Sequence, residues 1–210
     1  MPTSELAAGL IDQLGRAAAD IVTDVDVLES YRFDQAAAGL VEAGRPLALA
    51  RPRSTAEVQA LLRAAADHRV PVVPRGAGSG LSGGANAIDG CLVLSLEAMR
   101  RIREVDPGSM VAVVEPGVVN AELRAAAREQ AVWYAPDPAS LEFSTIGGNV
   151  ATNAGGLCCV KYGVTRDSLL GLEVVLADGR AIRVGRRTRK GVVGYDLPSL
   201  LCGSEGTLGV

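Results

Sequence analysis

The chain has 210 residues, 48% of them hydrophobic and 21% charged, with a formal net charge of −3. That is enough apolar material for one large domain, or two small ones sharing a core, and it excludes wholesale disorder. The slight acidity and an aromatic content of 3% argue against a nucleic-acid partner, and no apolar run reaches the roughly 18 residues that cross a bilayer.

Residues 4–19 read as a short helix with Ser4 as its candidate N-cap, and residues 20–33 as a lead-in; no charged-then-apolar leader opens the chain. A strand is expected at 46–50. A helix follows, with Ser54 as N-cap and Glu57 completing a capping box. Val58, Leu61, Leu62 and Ala65 repeat at helical spacing, and His68 and Arg69 close the last turn, where positive charge is favoured. Residues 70–74 form a short strand, 91–96 and 110–114 buried strands, and 120–130 an amphipathic helix. Residues 135–156 read as one long loop. Segments 172–176 and 181–184 make a hairpin about Asp178-Gly179, and 197–201 a short helix. Strands and helices mix without a βαβ rhythm, so the fold class is α+β rather than a doubly wound sheet.

Glycine is over-represented, at 25 residues, and concentrates in loops. The first loop is Pro74-Arg75-Gly76-Ala77-Gly78-Ser79-Gly80-Leu81-Ser82-Gly83-Gly84. Alternating glycines let successive N–H groups turn inward as an anion nest suited to a pyrophosphate, with Ser79 and Ser82 adding hydroxyls and Arg75 bordering it. Taken alone, such a loop is more often a surface turn. Gly78, Gly80 and Gly83 also spell G-x-G-x-x-G. Residues 85–90 are too few for the crossover helix that a Rossmann site needs, so NAD binding of that type is rejected. The second loop runs through Ala139, Ser140, Leu141, Thr145, Gly147, Gly148, Asn149, Thr152, Asn153, Ala154 and Gly155. Its small side chains suit a backbone lying flat against a broad ligand; buried turns are the plainer reading. The third loop is Cys202-Gly203-Ser204-Glu205-Gly206-Thr207-Leu208-Gly209-Val210. Three such loops fit one extended ligand with a phosphate centre and two flat ends.

With these motifs in their order and spacing (74–80, 141–149, 151–156 and 203–210), the chain resembles the FAD-linked oxidases of the vanillyl-alcohol oxidase/PCMH type over residues 45–210. Lys190-Gly-Val-Val-Gly-Tyr-Asp-Leu-Pro-Ser-Leu looks most like the glycolate oxidase FAD subunit and D-lactate dehydrogenase branch, and 141–145 is also similar to alkyldihydroxyacetonephosphate synthase. The resemblance implies a PCMH-type fold of two α/β subdomains, 45–135 and 136–210, with FAD between them and residues 1–44 as a helix and lead-in. It implies pyrophosphate contacts from 74–80, a flavin and pyrophosphate wall from 139–145 and 152–155 with Tyr162 at the ring, and closure over adenosine by 204–210. Relatives that bind flavin covalently carry a histidine in the first loop; Ser79 stands there instead, so FAD is expected to be non-covalent. The implied chemistry is oxidation of a D-2-hydroxy acid such as glycolate or D-lactate, a base taking the hydroxyl proton as hydride passes to flavin N5. Substrate- and metal-binding histidines are expected in a later domain, before which the chain breaks off, and no catalytic or metal residue is assigned within it.

His68, the one histidine, reads as a helix-terminal surface residue. Cys91, Cys158, Cys159 and Cys202 lack zinc spacing and read as reduced thiols of a cytoplasmic protein, with peripheral attachment to the inner membrane through a partner left open. The arginines at 183, 186, 187 and 189, with Lys190, and those at 100, 101 and 103, read as solvated faces. Trp133 and Tyr134 read as core. The alternatives are a non-catalytic FAD-binding scaffold that meets a partner subunit or electron acceptor, a synthase-like flavoenzyme, and a nucleic-acid binder resting on the arginines alone.

Overall fold

A computed structural model describes residues 4–17, 20–36 and 41–210. Its central sheet has four strands, β1 (Ile21–Val22), β2 (Ala48–Ala50), β3 (Val72–Arg75) and β4 (Leu92–Ser95), in the order β1-β2-β4-β3. β4 runs parallel to both neighbours, with Leu92 opposite Ala48 and Val72, and β1 is antiparallel to β2. All four β4 residues are buried because both faces of the sheet are covered. Leu92, Leu94, Ala48 and Ala50 face one cluster with Leu10 and Leu14 of α1 (Ser4–Ala17) and Leu61 of α3 (Thr55–Asp67). Leu49, Val93 and Cys91 face the other, with Leu28 of α2 (Val25–Glu29) and Val73. The alternation is the period-2 pleat of a strand.

The lead-in at 20–33 is therefore structured, supplying β1 and α2. Two residues are too few to show periodicity, and α2 is only five residues long. Ser4 is the first described residue of α1, and residues 18 and 19 of that expected helix fall outside the described residues. Ser54 caps α3 by accepting the Glu57 N–H at 3.3 Å, but Glu57 reaches back to the Arg53 N–H at 3.0 Å, one residue earlier than a capping box requires. His68 is the C-cap of α3, and its Nε2 lies 2.8 Å from Gln13 Oε1, fastening α3 to α1.

Beyond the sheet come a hairpin of β5 (Ile102–Asp106) and β6 (Val111–Val114), α4 (Asn120–Glu129), α5 (Ile146–Thr152), α6 (Cys159–Tyr162), a 3₁₀ turn at Thr165–Ser168, a hairpin of β7 (Gly171–Val175) and β8 (Ala181–Gly185), and α7 (Leu197–Leu201). Gly179, at φ +78°, makes the expected turn between β7 and β8. Val175 and Val210 join the first core cluster, so residues from Leu10 to the last position share it. Arg100, Arg101 and Arg103, read as a solvated face, are exposed, and the stretch that carries them leads into β5. Charged side chains at both exposed and half-buried positions mask its strand period, and one carboxylate gathers them.

Glu115, 3% exposed, accepts from the Arg101 N–H at 2.8 Å, Arg101 Nε at 2.9 Å and Arg103 at 3.0 Å. Burial alone would raise its pKa, but these bonds outweigh that and hold it at about 2. A carboxyl lowered from 4.5 to about 2 stabilises the fold fully above 4.5 and loses that contribution as pH falls towards 2. Because both arginines are solvent-exposed, Glu115→Gln is expected to lower stability at neutral pH by about 1–2 kcal/mol, and to flatten the acid limb of a melting-temperature profile. An unchanged acid limb would show that the pair adds nothing.

Candidate functional site

The first loop leaves the C-terminal end of β3 with Gly78 and Gly83 at φ +69° and +80°. The backbone N–H groups of residues 77–82 meet no acceptor among the described residues. Its framework comes from the lead-in. Asp34 accepts from the Gly83 N–H at 2.8 Å and the Ala36 N–H at 2.8 Å, Asn86 Oδ1 accepts the Asp34 N–H at 2.8 Å, and Gly80 O accepts the Gln35 N–H at 2.9 Å. The Arg75 side chain is buried. It donates to Ala85 O at 3.2 Å and Phe33 O at 2.9 Å and lies 5.6 Å from the Tyr31 ring centroid. Tyr31, Asp34 and Asn86 carry no local sequence signal for this role, since each acts through a partner more than forty positions away.

The second segment is not one loop, because Thr145 caps α5, accepting the Gly148 N–H at 3.3 Å. Its first amides are already paired. Ile146 N–H donates to Val118 O at 2.8 Å and Gly147 N–H to Pro116 O at 2.8 Å. Two glycines at the start of a helix hid it in the sequence. Gly76 packs directly on it, since a Cβ there would lie 2.4 Å from Thr145 Oγ1 and 3.4 Å from Gly148 Cα. Asn149, 3% exposed, holds a buried amide nitrogen without a partner among the described residues. Thr152 turns its hydroxyl onto Gly148 O at 3.0 Å. Asn153 ends α5 at φ +49° and accepts the Arg166 N–H at 2.9 Å. Ala154 O accepts from the Thr165 hydroxyl at 2.8 Å, and Gly155 faces Val164. Ala139, Ser140 and Leu141 form a turn on the start of α4, where Leu141 O accepts the Ala121 N–H at 3.0 Å. Tyr162 stacks edge-on against Trp133 with centroids 4.7 Å apart.

The third loop lies between the other two. Gly203 and Glu205 donate backbone N–H groups to Val150 O and Ala151 O of α5, each at 2.9 Å. Glu205, at φ +49°, accepts the Ser82 hydroxyl at 3.0 Å, and a Cβ on Gly206 would lie 2.8 Å from Pro74 Cγ. Thr207 bonds Ser204 O at 2.6 Å, Leu208 is 46% exposed, and Gly209 and Val210 run along β7, Val210 exchanging both backbone bonds with Val175. Pro74, Gly76, Ser82, Thr145, Gly148 and the Ser204–Gly206 stretch thus converge. Ala139–Leu141 and Tyr162 pack on other elements. Open amides beside a wall of small residues, with an unpaired amide nitrogen behind it, fit a ligand that is anionic and extended. The thiols of Cys91, Cys158 and Cys202 are not activated. Burial pushes Cys91 and Cys202 up, and the hydrogen bond to Asp137 pushes Cys158 up.

Residues 46–185 match a family described as an FAD binding domain. The glycolate oxidase subunit GlcD of Bacillus subtilis (strain 168) is 48% identical over 165 residues, covering 79% of this chain and 35% of that protein. A D-lactate dehydrogenase of Anaerostipes hadrus is 40% identical over 185 residues, 88% of this chain and 38% of that protein. The chain thus spans little more than a third of the length of these relatives. A p-cresol methylhydroxylase structure covers 99% of this chain and 42% of its own at a TM-score of 0.83; with 21% identity, the likeness speaks to fold alone, the PCMH-type FAD-binding fold.

Gly76→Val is expected to force the first loop off α5, because the nearest atom a Cβ meets belongs to the helix cap. A fall in melting temperature worth about 1–3 kcal/mol follows from overpacking, together with loss of ligand-induced stabilisation. A variant that melts like the parent would refute the close approach.

Proposed function

The chain belongs to the FAD binding domain family, and on that premise we propose that its first loop, α5 and third loop hold FAD non-covalently for the oxidation of a D-2-hydroxy acid such as glycolate or D-lactate. The convergence of the three glycine segments around the open amides of residues 77–82 carries this reading. Those amides take the pyrophosphate, with Ser79 and Ser82 beside them. Gly148, Asn149 and the end of α5 line one side, and Ser204–Gly206 closes the other. The segments fall on either side of a division into 45–135 and 136–210 that the cofactor would bridge. When bound, FAD supplies the two-electron acceptor. Non-covalent attachment is supported by the surroundings of the one histidine, since His68 is tied to Gln13 on α1 and the first loop carries Ser79.

The hydroxy-acid substrate is supported by the names of the two relatives, and their greater length supports a further part that carries the substrate groups. The word "subunit" in the Bacillus relative's name supports a partner subunit. Four free thiols support a reducing, cytoplasmic setting, with any membrane contact made through a partner. Among the described residues no helix is long and apolar enough to cross a membrane.

Purified protein mixed with FAD and passed through gel filtration is expected to keep a flavin spectrum, and acid precipitation to release the flavin to the supernatant. Protein that stays colourless at saturating FAD would overturn the assignment, and flavin that stays in the precipitate would overturn non-covalent attachment.

A further inference from the structure

Arg75 and Arg51 flank the same aromatic ring, each with its guanidinium carbon 5.6 Å from the Tyr31 centroid. Their charges are treated differently. Arg51 pairs with Glu97 at 2.9 Å and Asp20 at 3.5 Å. Arg75 is the more deeply buried, at 8% exposure, yet no carboxylate lies within ion-pair distance of it among the described residues. Among the described residues its terminal nitrogens meet the carbonyls of Ala85 and Phe33, while the Asp34 carboxylate acts on it through space and takes its hydrogen bonds from the Gly83 and Ala36 amides. Burial pushes Arg75 down from its ordinary range, but a guanidinium stays charged at any working pH.

A buried cation without a counter-charge is unfavourable unless something compensates it. The position of this one says where the compensation comes from. Gly78 crosses directly over the guanidinium, where a Cβ would sit 2.2 Å from one terminal nitrogen and 2.5 Å from the central carbon. The loop therefore starts at Arg75, arches over its head group, and returns at Ala85 to accept its bond. The arch is the stretch whose amides meet no acceptor among the described residues.

We infer that Arg75 is a positioning residue with a second, electrostatic role: it holds the arch open through two carbonyls and sets beneath it a positive charge that no carboxylate pairs directly, so that the diphosphate of the ligand adds to the charge balance without touching the guanidinium. The inference rests on the reading that this loop takes the FAD pyrophosphate. The two roles separate on substitution. Lysine keeps the charge, but its single ammonium does not reproduce the planar fork that meets both carbonyls. Methionine removes both.

The test titrates the full chain with FAD, following flavin fluorescence, for wild type, Arg75→Lys and Arg75→Met, and measures the melting temperature of each protein without flavin. Both variants are expected to melt below wild type by a similar margin. Their affinities are expected to diverge, with Arg75→Met binding FAD roughly tenfold to a hundredfold more weakly and Arg75→Lys staying within about fivefold of wild type. Equal weakening of the two variants would mean that only the arch's shape matters, and wild-type affinity in both would remove Arg75 from binding altogether; either overturns the inference and leaves the FAD reading intact. Should Arg75→Met fail to fold, Arg75→Lys decides alone: near-wild-type affinity with a lowered melting temperature supports the charge role, and a loss beyond about tenfold overturns it. Wild-type protein that binds no FAD would overturn both.

Discussion

The site depends on backbone segments lying closer together than a Cβ permits. Gly76 rests on the Thr145 cap, Gly206 on Pro74, and Gly84 on the Glu205 side chain. Remove any of these and the three glycine segments become separate surface turns. Their glycine content is therefore a packing requirement as much as a conformational one. At Gly78, Gly83, Gly203 and Gly206 the backbone also takes positive φ.

The amides on the two sides of the site are used differently. Those opening α5 are committed to Pro116, Val118 and Thr145, which fixes the helix against the segment before α4. The amides of residues 77–82 face no protein acceptor among the described residues, while the strand before the loop and the carboxylate beside it are firmly held. A rigid frame around an unsatisfied arch is what preorganised anion binding needs. Ordering is done during folding, and the ligand finds donors already in place. Glu205 fits this division, since its carboxylate takes the Ser82 hydroxyl and its own N–H is held by α5.

The relatives carry the functional argument further than geometry alone. The chain is similar to a glycolate oxidase subunit and a D-lactate dehydrogenase while covering 35% and 38% of their lengths, and a p-cresol methylhydroxylase structure shares its fold. A fold of this kind does not by itself fix the substrate, which depends on the groups placed around it.

Local chemistry was readable from the residues themselves. The Ser54 cap, the Asp178-Gly179 turn, the buried β4 run and the phosphate-loop glycines each announce themselves within a few positions, because propensity, capping and φ preference act over that range. Elements whose stability comes from distant partners did not. β1 exists through β2, α5 through its docking on the 116–118 segment, and β5 through the Glu115 carboxylate just past the end of its hairpin partner. The same divide runs through the site. Sequence alone determined that glycine loops stand where a diphosphate could be held, and the family they belong to. Only the tertiary structure decided that the loops meet, that Asp34 and Asn86 frame them, and that Arg75 points beneath the arch at Phe33 and Ala85, because those outcomes depend on contacts between residues tens of positions apart.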